Sequence, residues 1–207
     1  MGESSVSHLS GQLEQESGIF YALLTQAEQD IVKATAKDLV QYLNSKGIAP
    51  FLIAGVGGVL RHTDPSRVRD IDLAVVGYKP RTKGRAMDAF RAFVIDYFRR
   101  IKERINDAKI LQGYDSGQAR YSNVWNEGIE GTLDGTPVEV ATDLSNLGRW
   151  RSKGTWIKLQ DCRPVDVQFV YNMNPEEWRK NQQKLFPEDK KNGKTPELYY
   201  AVLEERV

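Results

Sequence analysis

The sequence predicts an α+β domain built on a mixed β-sheet flanked by helices, and three observations carry that expectation. Helical periodicity governs two long stretches, about 25–47 and 84–105. Short apolar runs at 51–54 and 71–76 alternate with those helices. From 129 to 171 the chain is a meander of strand-like runs separated by turn signals. An element order of this kind defines an architecture and leaves the activity open.

Residues 1–18 are rich in Ser, Gly, Gln and Glu and read as a flexible leader, although Ile19–Leu24 is apolar enough to dock on the domain. The domain proper is expected over 19–175, with a helical C-terminal segment, 176–207, packed on it. Thr25 and Glu28 stand at capping-box spacing. Ala27, Ile31, Thr35, Leu39 and Tyr42 then recur every three or four residues until Gly47 stops the helix. Phe51–Ala54 is a short apolar run that ends in Gly-Val-Gly-Gly, so it reads as a buried strand turning into a short helix over Val59–Thr63, broken by Asp64, Pro65 and Ser66. Ile71–Val76 is a second strand, closed by Gly77 and Pro80. In the long helix from about Gly84 to Ile105, Phe90, Val94, Tyr97, Ile101 and Ile105 line one side.

Asp134-Gly135 is a hairpin signal between Ile129–Leu133 and Pro137–Thr142. Trp156, Lys158 and Gln160 alternate with Ile157 and Leu159, and after a turn near Asp161–Arg163 the run Val165–Tyr171 is strand-like. Asn174 as cap, Pro175 at the first helical position and Glu177 three after the cap open another helix. A similar Thr195-Pro196 start predicts a last helix reaching the C-terminus.

Composition narrows the function classes. With 40% hydrophobic and 28% charged residues the chain can build a real core, and a net charge of +1 makes the molecule as a whole no electrostatic glue for nucleic acid. Basic clusters at 79–85, 99–104, 149–153 and 179–194 are local and interrupted by acids. Cys162 is the only cysteine, which rules out an intrachain disulfide and argues against a thiolate zinc site. No apolar run of about 18 residues exists and the N-terminus is polar, so neither a membrane span nor a signal peptide is expected; with the lone cysteine, the expected location is cytoplasmic.

The chemistry concentrates in Gly55-Val56-Gly57-Gly58, then eleven residues, then Asp70-Ile71-Asp72-Leu73. In a strand, residues two apart share a face, so Asp70 and Asp72 project together while Ile71 and Leu73 enter the core. Side-by-side carboxylates repel unless a cation lies between them, and oxygen-only ligands suit Mg²⁺ or Mn²⁺, which grip the phosphates of a nucleoside triphosphate. Gly57 and Gly58 supply a turn without Cβ atoms, where backbone N–H groups can approach phosphate at the start of a helix. Alone, acid-apolar-acid describes any half-exposed strand. The Gly-Gly turn at this distance is what gives it meaning.

This pattern resembles the signature of the polymerase β-like nucleotidyltransferase superfamily. The stretch Gly57-Gly58-Val59-Leu60-Arg61 to Arg69-Asp70-Ile71-Asp72 is similar to the head domain of tRNA nucleotidyltransferases and bacterial poly(A) polymerases, over roughly Phe51–Val76. The resemblance implies a polymerase β palm-like fold, a two-metal mechanism on an NTP substrate, and Arg61 near the triphosphate, with Gly57, Gly58 and Arg69 also on the nucleotide side. It also implies a third carboxylate on a neighbouring strand. Asp166, in Val165-Asp166-Val167, looks like the third motif of small phage and bacterial members; Glu139, in Val138-Glu139-Val140, resembles the equivalent strand of the tRNA enzymes. Asp166 is favoured. The segments that follow the third carboxylate in the tRNA enzymes have no counterpart here. The expected acceptor is an RNA 3′ end, with a protein side chain or small molecule as the alternative. A catalytically inactive nucleotide-binding or interaction module of the same fold is the rival from another class.

Other residues carry weaker signals. Arg61, Arg67 and Arg69 either bind phosphate or balance the two aspartates. His62 has no second histidine at ligand spacing. Trp125, Trp150, Trp156 and Trp178 either pack or stack on a base.

Overall fold

The computed structural model describes residues 14–61, 68–81, 86–110, 127–142, 152–182 and 199–206. They form an α+β fold around one eight-stranded mixed sheet. The helices are α1 (14–22), α2 (Gln26–Ser45), α3 (Gly58–Arg61), α4 (Ala86–Lys102) and α5 (Pro175–Gln182). The strands are β1 (Phe51–Val56), β2 (Ile71–Val76), β3 (Asn106–Ile110), β4 (Glu127–Leu133), β5 (Thr136–Thr142), β6 (Ser152–Leu159), β7 (Val165–Phe169) and β8 (Ala201–Arg206). The sheet runs β3-β4-β5-β6-β7-β2-β1-β8, and β2 with β7 is its parallel pair.

Helix α2 begins as its capping box dictates. Glu28 N–H donates to Thr25 Oγ1 at 3.3 Å, and Thr25 N–H donates to Glu28 Oε2 at 2.9 Å. Ile31, Thr35, Leu39 and Tyr42 form the buried stripe. Glu28 does more than cap. Arg163, in the turn between β6 and β7, donates from Nε to Glu28 Oε1 at 2.7 Å and from Nη2 to Oε2 at 2.8 Å, which pins the helix start to the sheet. These guanidinium bonds hold the Glu28 carboxyl at about 2, below its ordinary 4.5. A depressed folded-state value stabilises above the unfolded one, so the contribution is complete above about pH 4.5 and is lost as pH falls towards 2. Glu28→Gln is therefore expected to cost about 3 kcal/mol at neutral pH. In urea melts the gap to wild type should shrink below pH 4.5, as acid neutralises the wild-type carboxyl.

The principal core lies on one face of the sheet. Ile53, Ile71, Leu73, Val75, Val140, Ile157, Val165, Val167 and Phe169 face Leu39 and Tyr42 of α2 and Phe90, Val94, Tyr97 and Ile101 of α4. The Tyr42 hydroxyl donates to Phe93 O at 2.7 Å and ties the two helices together. The opposite face has a smaller cluster, in which Leu52, Ala54, Val56, Ala74, Val76, Val170 and Val202 pack with Trp178 of α5. Strand alternation puts Asp72 and Asp166 on this second, more open face, because Ile71, Leu73, Val165 and Val167 all belong to the first.

Several boundaries differ from the sequence expectation. The C-terminal segment is not helical to its end: 201–206 is strand β8, paired antiparallel with β1. Leu, Glu and Arg favour helix intrinsically, yet β1 would otherwise present an open row of backbone groups at the sheet edge, and pairing overrides propensity. The Thr195-Pro196 start lies outside the described residues, as does Thr63 of the short helix. Residues 14–18, expected within the leader, belong to α1, whose Phe20 is fully buried against Gly55 and whose Glu16 accepts from Val202 N–H at 3.3 Å. Helix α4 ends at Lys102 rather than Ile105, where a turn feeds β3. The Asp134-Gly135 hairpin is present, with φ of 50° and 80° at its two turn residues, the left-handed pair that a two-residue hairpin requires.

Candidate metal centre

Strand β1 delivers the chain to Gly57, and β2 returns antiparallel beside it with Val56 opposite Asp72. Gly57 has φ of +80°, a conformation natural only to glycine, and it backs directly onto the Asp72 carboxylate: a Cβ built there would overlap Asp72 Oδ2. Gly58 then opens the single turn of α3, which ends at a half-buried Arg61.

On the other side of β2 the parallel register sets Asp72 beside Asp166 of β7. Asp70 lies two residues before Asp72, just ahead of the strand. Each of the three aspartates brings one carboxylate oxygen within 4.8 Å of the others. Asp166 is 4% exposed, while Asp70 and Asp72 are half-buried and open towards solvent. An all-oxygen set of this size fits a hard divalent cation such as Mg²⁺ or Mn²⁺ and suits neither a thiolate-seeking metal nor an imidazole-seeking one.

Glu139 stands apart from this group. It is on the same sheet face but on β5, separated from β7 by β6, and it is out of line with Asp166 by two residues: Asp166 pairs with Trp156, and Trp156 with Ala141. Strand spacing puts it about 12 Å from Asp166. Its neighbour is Lys158, with Nζ 4.0 Å from Glu139 Oε2. Arg69 is exposed immediately before Asp70. Arg67, His62, Trp125 and Trp150 lie outside the described residues. Trp178 is packed against Tyr200 and Val202 and is buried, so it serves the core.

The basic cluster at 99–104 is engaged structurally, since Arg100 and Arg104 both reach Asp38 Oδ1 at 3.1 Å. Arg179 of the 179–194 cluster pairs with Glu205 of β8 at 2.7 Å.

One site residue escaped the sequence reading. Gln168 follows Asp166 by two positions, shares its face and is 8% exposed. Its Nε2 donates to Asp72 Oδ1 at 2.6 Å and approaches Asp166 Oδ2 at 3.4 Å. The signal was available: a glutamine alternating with an acid in an otherwise apolar strand needs a polar partner when buried.

The chain matches no family model, no curated protein and no solved structure. No helix among the described residues is long and apolar enough to cross a membrane.

Proposed function

We propose that the chain is a metal-dependent nucleotidyltransferase of polymerase β palm-like fold, which moves a nucleoside monophosphate from an NTP to an acceptor hydroxyl. The observation that carries this reading is the convergence of Asp70, Asp72 and Asp166 beside the glycine turn at Gly57. Asp70 and Asp72 would hold the cations, and Asp166 would complete the set. The divalent ions supply charge neutralisation of the triphosphate and a lowered pKa for the attacking hydroxyl.

The chain's own residues account for the rest. The Gly57-Gly58 turn lets phosphate oxygens approach the backbone, with Arg61 and Arg69 as the nearby cations. Asp166, the most buried of the three carboxylates, receives the hydroxyl proton. The acceptor oxygen bonds to the α-phosphorus, the bond from that phosphorus to the bridging oxygen breaks, and pyrophosphate departs.

The likeness of the stretch from Gly57 to Asp72 to the head domain of tRNA nucleotidyltransferases favours an RNA 3′ end as the acceptor. A second reading, a small-molecule or protein acceptor, is supported by the depression of about 500 Å³ on the same sheet face, lined by Asp107, Lys109, Glu130, Glu139 and Lys158. Three carboxylates against two ammonium groups suit a small polar acceptor better than a phosphate backbone.

The test is incubation of the protein with each α-labelled NTP, Mg²⁺ and total cell extract. Label in the RNA fraction is the expected result. Label in the protein or small-molecule fraction moves the acceptor to the second reading. Triphosphate binding with no labelled fraction contradicts the enzyme reading and leaves an inactive nucleotide-binding module.

A further inference from the structure

The in-register pairing of β2 and β7 presses two like charges, Asp72 and Asp166, onto neighbouring strand positions. Free to choose, the carboxylates would rotate apart. Two contacts oppose that for Asp72: Gly57 backs onto Oδ2, and Gln168 donates to Oδ1 at 2.6 Å. The same amide nitrogen also faces Asp166 Oδ2. Its orientation is dictated by chemistry, because the reversed amide would point Oε1 at two carboxylate oxygens.

Glutamine is a particular choice for this place. A lysine or arginine would bridge the two acids equally well, but its full charge would compete with a cation. A leucine would take this amide donor away from both carboxylates. An amide orders them and leaves their negative charge in place.

We propose that Gln168 is a positioning residue, which holds the Asp72 and Asp166 carboxylates in the arrangement that accepts a divalent cation. The proposal rests on the metal-centre reading above. It predicts a loss of cation affinity that a space-filling role would not produce.

The experiment is titration of the full-length chain with Mn²⁺, followed by the electron paramagnetic resonance signal of the free ion, without nucleotide. Gln168→Met keeps the volume and removes the donor. It is expected to weaken Mn²⁺ binding about 10- to 100-fold in a protein that still unfolds cooperatively. If Gln168→Met does not fold, Gln168→Asn, which keeps an amide too short to span both acids, is expected to show the same loss. Unchanged affinity in the folded variant, with or without a lower melting temperature, overturns the assignment of Gln168 and leaves the metal centre standing. Absence of Mn²⁺ binding by the wild type overturns the metal centre itself, and the positioning role with it.

Discussion

Asp72→Asn is expected to lower nucleotidyl transfer by about a thousandfold or more while leaving the fold intact or slightly more stable. The two halves of that expectation have one cause. Asp72 brings a carboxylate oxygen within 4.8 Å of those of Asp70 and Asp166, so under the proposed reaction it would contribute to a cation held there, and loss of a directly acting electrostatic group of this kind costs about 4 kcal/mol of transition-state stabilisation. The same substitution removes one of three mutually repelling charges. Gln168 Nε2 can still donate to the asparagine carbonyl oxygen, so that bond survives the substitution. Transfer of label from α-labelled NTP, measured beside a thermal melt, checks both halves. A variant that is inactive and markedly destabilised would assign Asp72 a structural role instead.

The second large effect concerns a position with no functional group. Gly57→Ala is expected to reduce transfer by about a hundredfold, because the new methyl must displace the Asp72 carboxylate, and misplacement of a reacting constellation by about 1 Å costs that much. Part of any stability loss will come merely from forcing alanine to φ of +80°. Gly135 offers a matched control. It has the same φ of +80°, but a Cβ there meets nothing within 4 Å. Gly135→Ala should therefore lose about 1 kcal/mol of stability and none of the activity. If the two variants have equal activity, the contact between Gly57 and Asp72 plays no part in the reaction.

How much of this was legible beforehand depended on whether the information was local. The Thr25/Glu28 capping box, the Asp134-Gly135 turn and the Asn174 cap are decided by residues three or four apart, and all three stand where the sequence puts them. The acid pair at 70 and 72 is read from strand alternation, which is equally local, and the two share the site even though Asp70 stands one residue ahead of β2. The choice between Asp166 and Glu139 is a different matter. Both are acids in apolar strands, and they are separated only by sheet order, with β7 next to β2 and β5 two strands beyond. Strand order is a long-range outcome that no spacing encodes.

The expected C-terminal helix failed for a related reason. Residues 201–206 carry helix-favouring side chains, and it is the open edge of β1, some 150 residues earlier in the chain, that recruits them. Gln168 lies between these cases. Its burial could be inferred from apolar neighbours, but its partner Asp72 is 96 residues away. Arg163 belongs with it, since its pairing with Glu28 spans 135 residues and recasts an N-terminal capping residue as a tie between helix and sheet.

The proposed reaction requires that Asp70, Asp72 and Asp166 together grip a divalent cation beside the Gly57 turn. It is tested most directly by anomalous diffraction from crystals of the protein soaked in Mn²⁺ with a non-hydrolysable NTP analogue. Mn²⁺ density is expected within about 2.2 Å of oxygens from all three aspartates, with the triphosphate lying against Gly57 and Gly58. Manganese bound elsewhere, or a triphosphate seated away from that turn, would contradict it.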